Sequence, residues 1–388
     1  MNISSLAARV ATVALLAVSF AWAKKPEASS LPQKIDKIFA DAIPKSAPGA
    51  AVLVTKNGRT LFQKGYGVRD LNTGQPIDAQ TNFRLASCTK QFTAMAVMLL
   101  VHDGKLRYED RLTDFFPDFP EYGRDITIRN LLNHTSGLPD YETLMELASG
   151  GKPSPWSETL QIQDAEVLAL LEAHQSGDFA PGTRWSYSNS GYVVLGLIVA
   201  KVSGKPFADF LQERIFKPLK MDHTLAYVKG KNEVRNRAYG HARAGAGFLE
   251  TDQSSTSATL GDGGVYSNLK DLALWDAALM QHTLLSAAEM QPALTPVKLA
   301  DGSQPQWASG PGDTDPLAGK PVSYGFGWFL DPYQGRQRMW HYGDTVGFKT
   351  AIHRFTKDGL TVIVLCNRSD LDASALALQV ADLALADK

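Results

Sequence analysis

A serine and a lysine three residues apart, Ser87 and Lys90, precede an apolar segment that covers residues 92–101. A segment that is apolar on almost every side predicts a buried helix, so we expect Ser87 at a helix N-terminus, where unpaired N–H groups favour developing negative charge. Lys90 lies close to one turn further on, and burial would help its amine to lose a proton and act as a base. The pair therefore predicts an activated serine nucleophile.

The same spacing also occurs at Ser149 and Lys152 and at Ser267 and Lys270. Glycines follow Ser149, which makes it a poor helix start, and Ser267 is expected to be the ordinary N-cap of the amphipathic helix that follows it. Ser87 could itself be only a cap. Spacing alone therefore leaves the choice between a cap and a nucleophile open.

A second group of polar residues, Tyr187 and Asn189, lies between a Pro-Gly turn and an apolar segment that starts at Gly191. A phenol near a lysine can pass a proton to a leaving group, and an asparagine amide can hold a carbonyl. The same Tyr-Ser-Asn triplet recurs at residues 266–268. The residues themselves do not choose between the two copies.

The third group is His341-Tyr342-Gly343, on a predicted strand. We expect Gly343 to let a ligand approach the strand closely, and an edge strand there could supply an N–H group to an oxyanion. A lone histidine in a strand is more often structural than catalytic.

The apolar patterns around these groups predict an α+β fold. A helix is predicted for residues 31–43, a hairpin for 50–66 around Asn57-Gly58, and strands for 338–342, 348–355 and 360–366, with helices at 167–171, 191–202, 207–216 and 371–385. The fold class is thus an antiparallel sheet built from both termini and flanked by helices, with an inserted, mostly helical region. We expect an α/β lobe at about residues 24–115 and 265–388 and the insertion at about 116–264; residues 242–264 and 301–320 give no clear pattern.

Composition and charge exclude several classes of function. With 39 basic against 40 acidic residues and no basic cluster, nothing favours nucleic acid as a partner. Cys88 and Cys366 are far apart and form no disulfide framework, and Cys88, inside a buried helix, is expected to be inert. The eight histidines form no metal-binding motif, so neither a metal nor a cofactor is expected and a metal hydrolase is disfavoured.

The N-terminus has the pattern of a secretory signal peptide over residues 1–23, which predicts a periplasmic or secreted protein. Its apolar run, residues 10–23, is shorter than the roughly 20 residues of a membrane span, and no other segment suggests a span in the mature chain. Lys24 and Lys25 directly after the expected cleavage site leave an uncleaved anchor as the alternative.

Together, and in this order, the three groups resemble the penicillin-recognising serine hydrolases, and so do the segments ITIRNLLNHTSGL (126–138), FAPGTRWSYSN (179–189) and GGVYSNLKDL (263–272). That family includes class C β-lactamases, D-alanyl-D-alanine carboxypeptidases, D-amino-acid peptidases and related esterases. The resemblance implies a β-lactamase/transpeptidase-like fold. It also implies Ser87 as the acylated nucleophile, Lys90 as its proton acceptor, Tyr187 as general base and acid, and Asn189 as the holder of the substrate amide.

The resemblance further implies that His341 meets a substrate carboxylate, and that the N–H groups of Ser87 and Asp344 form the oxyanion hole beside Gly343. An aspartate at 344 departs from the small residue usual in the family, and histidine anchors a carboxylate more weakly than lysine. Both departures favour esters or uncharged amides over β-lactams and peptides with free carboxylates.

The predicted function is a serine hydrolase, of carboxypeptidase or esterase type, that acts through an acyl-enzyme on a β-lactam, a D-amino-acid peptide or an ester. The alternative is a non-catalytic module of the same fold that binds cell-wall peptide or penicillin. A small molecule or peptide is the expected partner, and the oligomeric state is left open.

Overall fold

The computed structural model describes residues 30–309 and 317–386. The predicted signal peptide, residues 1–23, lies outside these ranges. In the described parts of the chain, no helix has both the length and the apolar character needed to cross a bilayer.

Strands from the two ends of the chain build the main sheet. The strands are β1 (Ala50–Lys56), β2 (Arg59–Tyr66), β3 (Phe83–Arg84), β4 (Leu225–Ala226), β5 (His241–Ala244), β6 (Gly247–Glu250), β7 (Val265–Ser267), β8 (Met339–Thr345), β9 (Phe348–Phe355) and β10 (Leu360–Cys366). Five of them form an antiparallel sheet in the order β2-β1-β10-β9-β8, so β8 is an edge strand. Strand β10 is buried along its whole length because helices cover both faces, as its continuous apolar sequence requires. The predicted sheet from both termini is confirmed.

Helices cover both faces of this sheet, and further helices lie in the stretch of chain between β2 and β8. They are α1 (Leu31–Ala42), α2 (Lys90–His102), α3 (Leu112–Phe115), α4 (Ile128–Leu132), α5 (Tyr141–Ser149), α6 (Asp164–Ala173), α7 (Asn189–Ser203), α8 (Phe207–Leu211), α9 (Leu269–Gln281), α10 (Ala287–Met290) and α11 (Ala373–Ala386). The apolar side chains of α1 and α11 pack against one face of the sheet, and α2, α7 and α9 contribute to a larger core on the other. Helix α2 is buried on nearly every side, as its sequence predicts.

A buried ion pair ties α9 to the sheet. Arg354 on β9 donates from Nε to Asp276 Oδ1 (2.6 Å), and the same carboxylate accepts hydrogen bonds from Thr55 and Thr361 on neighbouring strands. Each hydrogen bond offsets part of the cost of removing the two charges from water. The arrangement fixes α9, which lies behind α2, against the strands.

One stretch without a sequence pattern contains regular structure, and one local prediction was wrong. Residues 242–264 show no clear pattern in the sequence, but the hairpin β5–β6 begins at His241 and covers residues 241–250. The N-cap of α9 is Asn268, whose Oδ1 accepts the N–H groups of Lys270 and Asp271 at 3.0 Å. Ser267 instead lies in β7, where its hydroxyl is hydrogen-bonded to Thr224.

Candidate active site

The segment that carries Ser87 is a single 3₁₀ turn, Ala86–Thr89, which leads directly into α2. Ala86 has φ = +47°, in the left-handed region that a non-glycine residue adopts only at an energetic cost. Ser87 is partly exposed, whereas the three residues that follow it, Cys88 to Lys90, are buried. The turn therefore presents the Ser87 hydroxyl to solvent at the N-terminus of a buried helix.

Lys90 lies directly behind this hydroxyl and is fully buried. Its Nζ is 3.1 Å from Ser87 Oγ, 2.8 Å from Asn189 Oδ1 and 3.1 Å from the main-chain oxygen of Asp262. Burial lowers the pKa of Lys90 to about 8, although the negative charge of Asp262 opposes the shift. An amine that is neutral in a useful fraction of molecules at neutral pH can accept the Ser87 proton.

Tyr187 is adjacent to both groups. Its ring centroid lies 4.8 Å from Lys90 Nζ, and the following residue, Ser188, caps α7 and so fixes the start of the helix that carries Asn189. Burial of the hydroxyl raises the pKa of Tyr187 well above its usual value, while the neighbouring Ser87 hydroxyl acts in the opposite direction. Tyr187 is thus a neutral phenol in the free protein and is better suited to donate a proton than to take one.

His341 on β8 is buried and uncharged. Its Nδ1 lies 2.6 Å from the carbonyl oxygen of Tyr342, so it donates there, and Nε2 accepts from the Tyr324 hydroxyl at 3.1 Å. Burial, together with the charge of Lys90, lowers the pKa of His341 to about 3. With both nitrogens engaged and no charge, His341 is poorly placed for the carboxylate-binding role that the resemblance implies.

Gly343 makes room for the chain itself and not, as expected, for a ligand. A Cβ atom at this position would lie 2.2 Å from the carbonyl oxygen of Leu85 and 2.3 Å from Thr350 Oγ1. The absent side chain lets β8 pack directly against the segment that precedes Ser87. As a result, Ser87, Asn189 and Asp344 line one cavity.

Two exposed carboxylates lie at this cavity, one from each side. Glu142 belongs to α5, and Asp344 belongs to β8 and is ion-paired with Lys349. Although Glu142 is exposed as a residue, partial desolvation of its carboxyl group raises its pKa, and the charges of Asp140 and Asp262 add to the effect. These acids disfavour an anion at the cavity entrance, against the opposite effect of Lys349, which is paired with Asp344, and of Arg84, which also lines the cavity.

The duplicated motifs lie elsewhere. Ser149 ends α5 and donates its hydroxyl to the Met145 carbonyl oxygen. Tyr266, on β7, accepts a hydrogen bond from Arg237. The structure instead brings together the first copy of each motif, because Lys90 Nζ contacts Ser87 Oγ, Asn189 Oδ1 and the ring of Tyr187.

Two residues of the site were missed in the sequence. Asp262, in the stretch 242–264 that gave no pattern, holds Lys90 through its main-chain oxygen. His134, in the segment 126–138, is fully buried and packs against Tyr187. The sequence offered one indication of His134: it lies in a segment with turn residues that ends in glycine, and such a segment favours a tight turn over a solvated loop.

Cys88 is inert, as predicted, because complete burial raises the pKa of its thiol to about 12. In residues 30–309 and 317–386, no three His, Cys, Asp or Glu side chains group in a way that could hold a metal ion. A larger cavity of about 470 Å³ lies between α9 and strands β8–β10 and contains none of the candidate residues.

Comparison with known proteins gives consistent matches over most of the chain. A family model described as Beta-lactamase matches residues 35–386. Penicillin-binding protein 4* of Bacillus subtilis is 33% identical over 333 residues, which cover 82% of this chain and 68% of that protein. A D-aminopeptidase of Cereibacter sphaeroides is 27% identical over 354 residues, covering 89% of this chain but only 61% of its own length. The crystal structure of D-amino acid amidase from Ochrobactrum anthropi SV3, complexed with D-phenylalanine, superposes with a TM-score of 0.75 at 25% identity, over 93% of this chain and 100% of that one.

Proposed function

The chain belongs to the beta-lactamase family of serine hydrolases, and from this premise we propose that Ser87 attacks an amide or ester carbonyl and carries the acyl group as a covalent intermediate. The observation that supports this assignment most directly is the 3.1 Å contact between Ser87 Oγ and the buried amine of Lys90, whose pKa is lowered. A binding module would not need a base behind the hydroxyl.

In the first step, Ser87 Oγ bonds to the carbonyl carbon and its proton passes to Lys90 Nζ. The N–H groups of Ser87 and Asp344 hold the resulting oxyanion, and Asn189 orients the substrate amide. The bond to the leaving amine or alcohol then breaks, and Tyr187 donates a proton to that group and is reprotonated from Lys90. Water attacks the acyl carbon in turn, which releases the acid and restores the Ser87 hydroxyl.

We propose an amide or ester substrate that carries no free carboxylate near the scissile bond. The support is electrostatic, because His341 is neutral and buried while Glu142 and Asp344 place negative charge at the entrance. The same charges favour a substrate with a protonated amine, in keeping with the names of the D-aminopeptidase and D-amino acid amidase relatives. The family's β-lactamase and carboxypeptidase activities, which act next to a substrate carboxylate, fit this entrance less well.

A matched substrate series tests the charge preference. The same D-amino acid p-nitroanilide is compared with a free, an acetylated and a succinylated amine, which are positive, neutral and negative at neutral pH, and the acetyl derivative controls for acylation of the amine. We expect kcat/KM to fall at least about tenfold from the amine to the succinyl derivative, and Glu142→Gln to reduce that ratio. A preference for the succinyl derivative, or for a peptide with a terminal carboxylate, would contradict the proposed substrate class.

Covalent labelling separates the enzyme from the binding module. A fluorophosphonate probe should add one adduct to the wild-type chain, on Ser87 by peptide mass mapping, and none to Ser87→Ala. Ser149→Ala is the matched control, because that serine shares the spacing to a lysine but lies away from the cavity. Absence of an adduct under conditions that label a control serine hydrolase would favour the non-catalytic module.

We also propose that the protein is exported, on the support of the signal-peptide pattern in residues 1–23. The test is the N-terminal sequence of the chain recovered from the periplasm or medium of an expressing bacterium. A chain that starts at Lys24 is expected, whereas an intact N-terminus in the membrane fraction would indicate the uncleaved anchor.

A further inference from the structure

We propose that His134 is a positioning residue that fixes the side chain of Tyr187, an inference that rests on the role given to Tyr187 in the proposed function. The His134 main-chain oxygen accepts the N–H of Ser186 at 3.0 Å, and its Nδ1 accepts the N–H of Ser188 at 3.0 Å. One residue therefore binds the backbone immediately before and immediately after Tyr187.

The imidazole ring supplies a third contact. Its centroid lies 4.5 Å from that of Tyr187, with 36° between the ring planes. Tyr324 and Tyr192, at centroid distances of 4.6 Å and 5.1 Å, enclose the same ring. His134 has no measurable exposure, so the phenol of Tyr187 packs against a support that is itself held in place.

The backbone of His134 shows that this placement is imposed by its surroundings. Its φ is +64°, in the left-handed region, which is uncommon for any residue other than glycine, although histidine, asparagine and aspartate adopt it more often than the rest. The next residue, Thr135, accepts the N–H of Gly182 through its main-chain oxygen at 2.8 Å. The turn that contains His134 therefore holds the segment 182–188 in position through hydrogen bonds.

His134 acts through geometry and not through charge. Because Nδ1 accepts a hydrogen bond from Ser188, the proton of the neutral ring lies on Nε2. Burial holds the pKa of His134 well below its usual value, and the nearby Lys90 and His341 act in the same direction. His134 does not line the cavity at Ser87, so any effect on the substrate passes through the residues that it contacts, and of these Tyr187 is the one with a proposed catalytic role.

Two substitutions separate the contacts. His134→Asn keeps a hydrogen-bond acceptor and tolerates the left-handed backbone but loses the ring. His134→Phe keeps a ring and loses the acceptor. His353→Phe is the matched control, since His353 is a fully buried, neutral histidine on β9 that is hydrogen-bonded to Ser374 and lies outside the cavity.

The experiment measures kcat and KM separately for a neutral ester, and the melting temperature of each variant in parallel. We expect His134→Phe to lower kcat by about tenfold or more with KM changed less than about threefold, because a small misplacement of a catalytic group costs rate and not binding. His134→Asn should fall between it and the wild type. His353→Phe should lose stability but keep kcat within about twofold.

A double-mutant cycle with Tyr187→Phe completes the test. If His134 acts through Tyr187, His134→Phe should lower kcat little further in the Tyr187→Phe background, whereas independent effects would multiply. Tyr187→Phe with normal kcat would overturn the proposed role of Tyr187 itself. Two outcomes would overturn only the positioning role of His134, provided that Tyr187→Phe loses much of its kcat. One is a normal kcat in both His134 variants. The other is a double variant whose loss of kcat is the product of the two single losses.

Discussion

Hydrolysis should depend on pH through Lys90. Its amine must be neutral to accept the Ser87 proton, and burial lowers its pKa from the usual 10.5 to about 8. This shift is equivalent to about 3 kcal/mol in favour of the neutral form. At pH 7 about a tenth of the molecules would then have a neutral Lys90, roughly 300 times the fraction expected for an exposed lysine.

The assay is kcat/KM for a neutral activated ester between pH 6 and pH 10, corrected for hydrolysis without enzyme. Because the active form is the deprotonated one, the rate should rise with pH by about tenfold between pH 7 and pH 9 and level off above the pKa. If Lys90 acts in the acylation step, the acylation rate in a single-turnover measurement should rise over the same pH range.

Asp262→Asn provides the decisive variant. The charge of Asp262 raises the pKa of Lys90 against the effect of burial, so its removal should move the rising limb to lower pH and increase the relative activity at pH 6. Asp301→Asn, at an exposed position that is not among the charges acting on Lys90, should keep the wild-type profile. A flat profile between pH 7 and pH 9, or a limb that Asp262→Asn moves to higher pH, would refute Lys90 as the base.

Three further outcomes follow from packing and hydrogen bonding. Ser87→Ala should reduce hydrolysis to background while the melting temperature stays within a few degrees, as a partly exposed hydroxyl contributes little to stability. Gly343→Ala should destabilise the protein by about 1–3 kcal/mol and lower kcat, because the new methyl group clashes with the Leu85 carbonyl oxygen. Arg354→Met should lower the free energy of unfolding in urea by about 3–5 kcal/mol, because Asp276 stays buried without its partner. A double variant with Asp276→Leu should recover much of this loss. An unchanged free energy of unfolding in Arg354→Met would contradict the role of the buried pair.

Periodic patterns in the sequence were sufficient for the main elements of the fold. Strands β1 and β10 are runs of β-branched and apolar residues, and α2 is apolar on every side, so local sequence and burial agree. The pair Ser87 and Lys90 could be predicted because both belong to one helical turn. Their meeting with Tyr187, on a segment far along the chain, depends on tertiary packing, and only the family resemblance pointed to it.

Other features of the site leave little trace in a single sequence. The oxygen of Asp262 that holds Lys90 belongs to the main chain, and any residue type could supply it. Gly343 indicated a close approach, but a glycine does not reveal whether a ligand or the chain itself fills the space. The short hairpin β5–β6 contains small and charged residues and packs little apolar surface, so it gave no alternating pattern.

The central position of β10 has a consequence for when, during synthesis, the chain can fold and become active. The N–H of Gly49 donates to Asn367 Oδ1, 318 residues along the chain, and β1 pairs with β10 over its full length. Contacts of such high sequence separation form late, because a long loop must close before they contribute any stability. A nascent chain that already contains Ser87 and Lys90 therefore lacks the neighbouring strands, and hydrolytic competence should arise only after synthesis has passed residue 366.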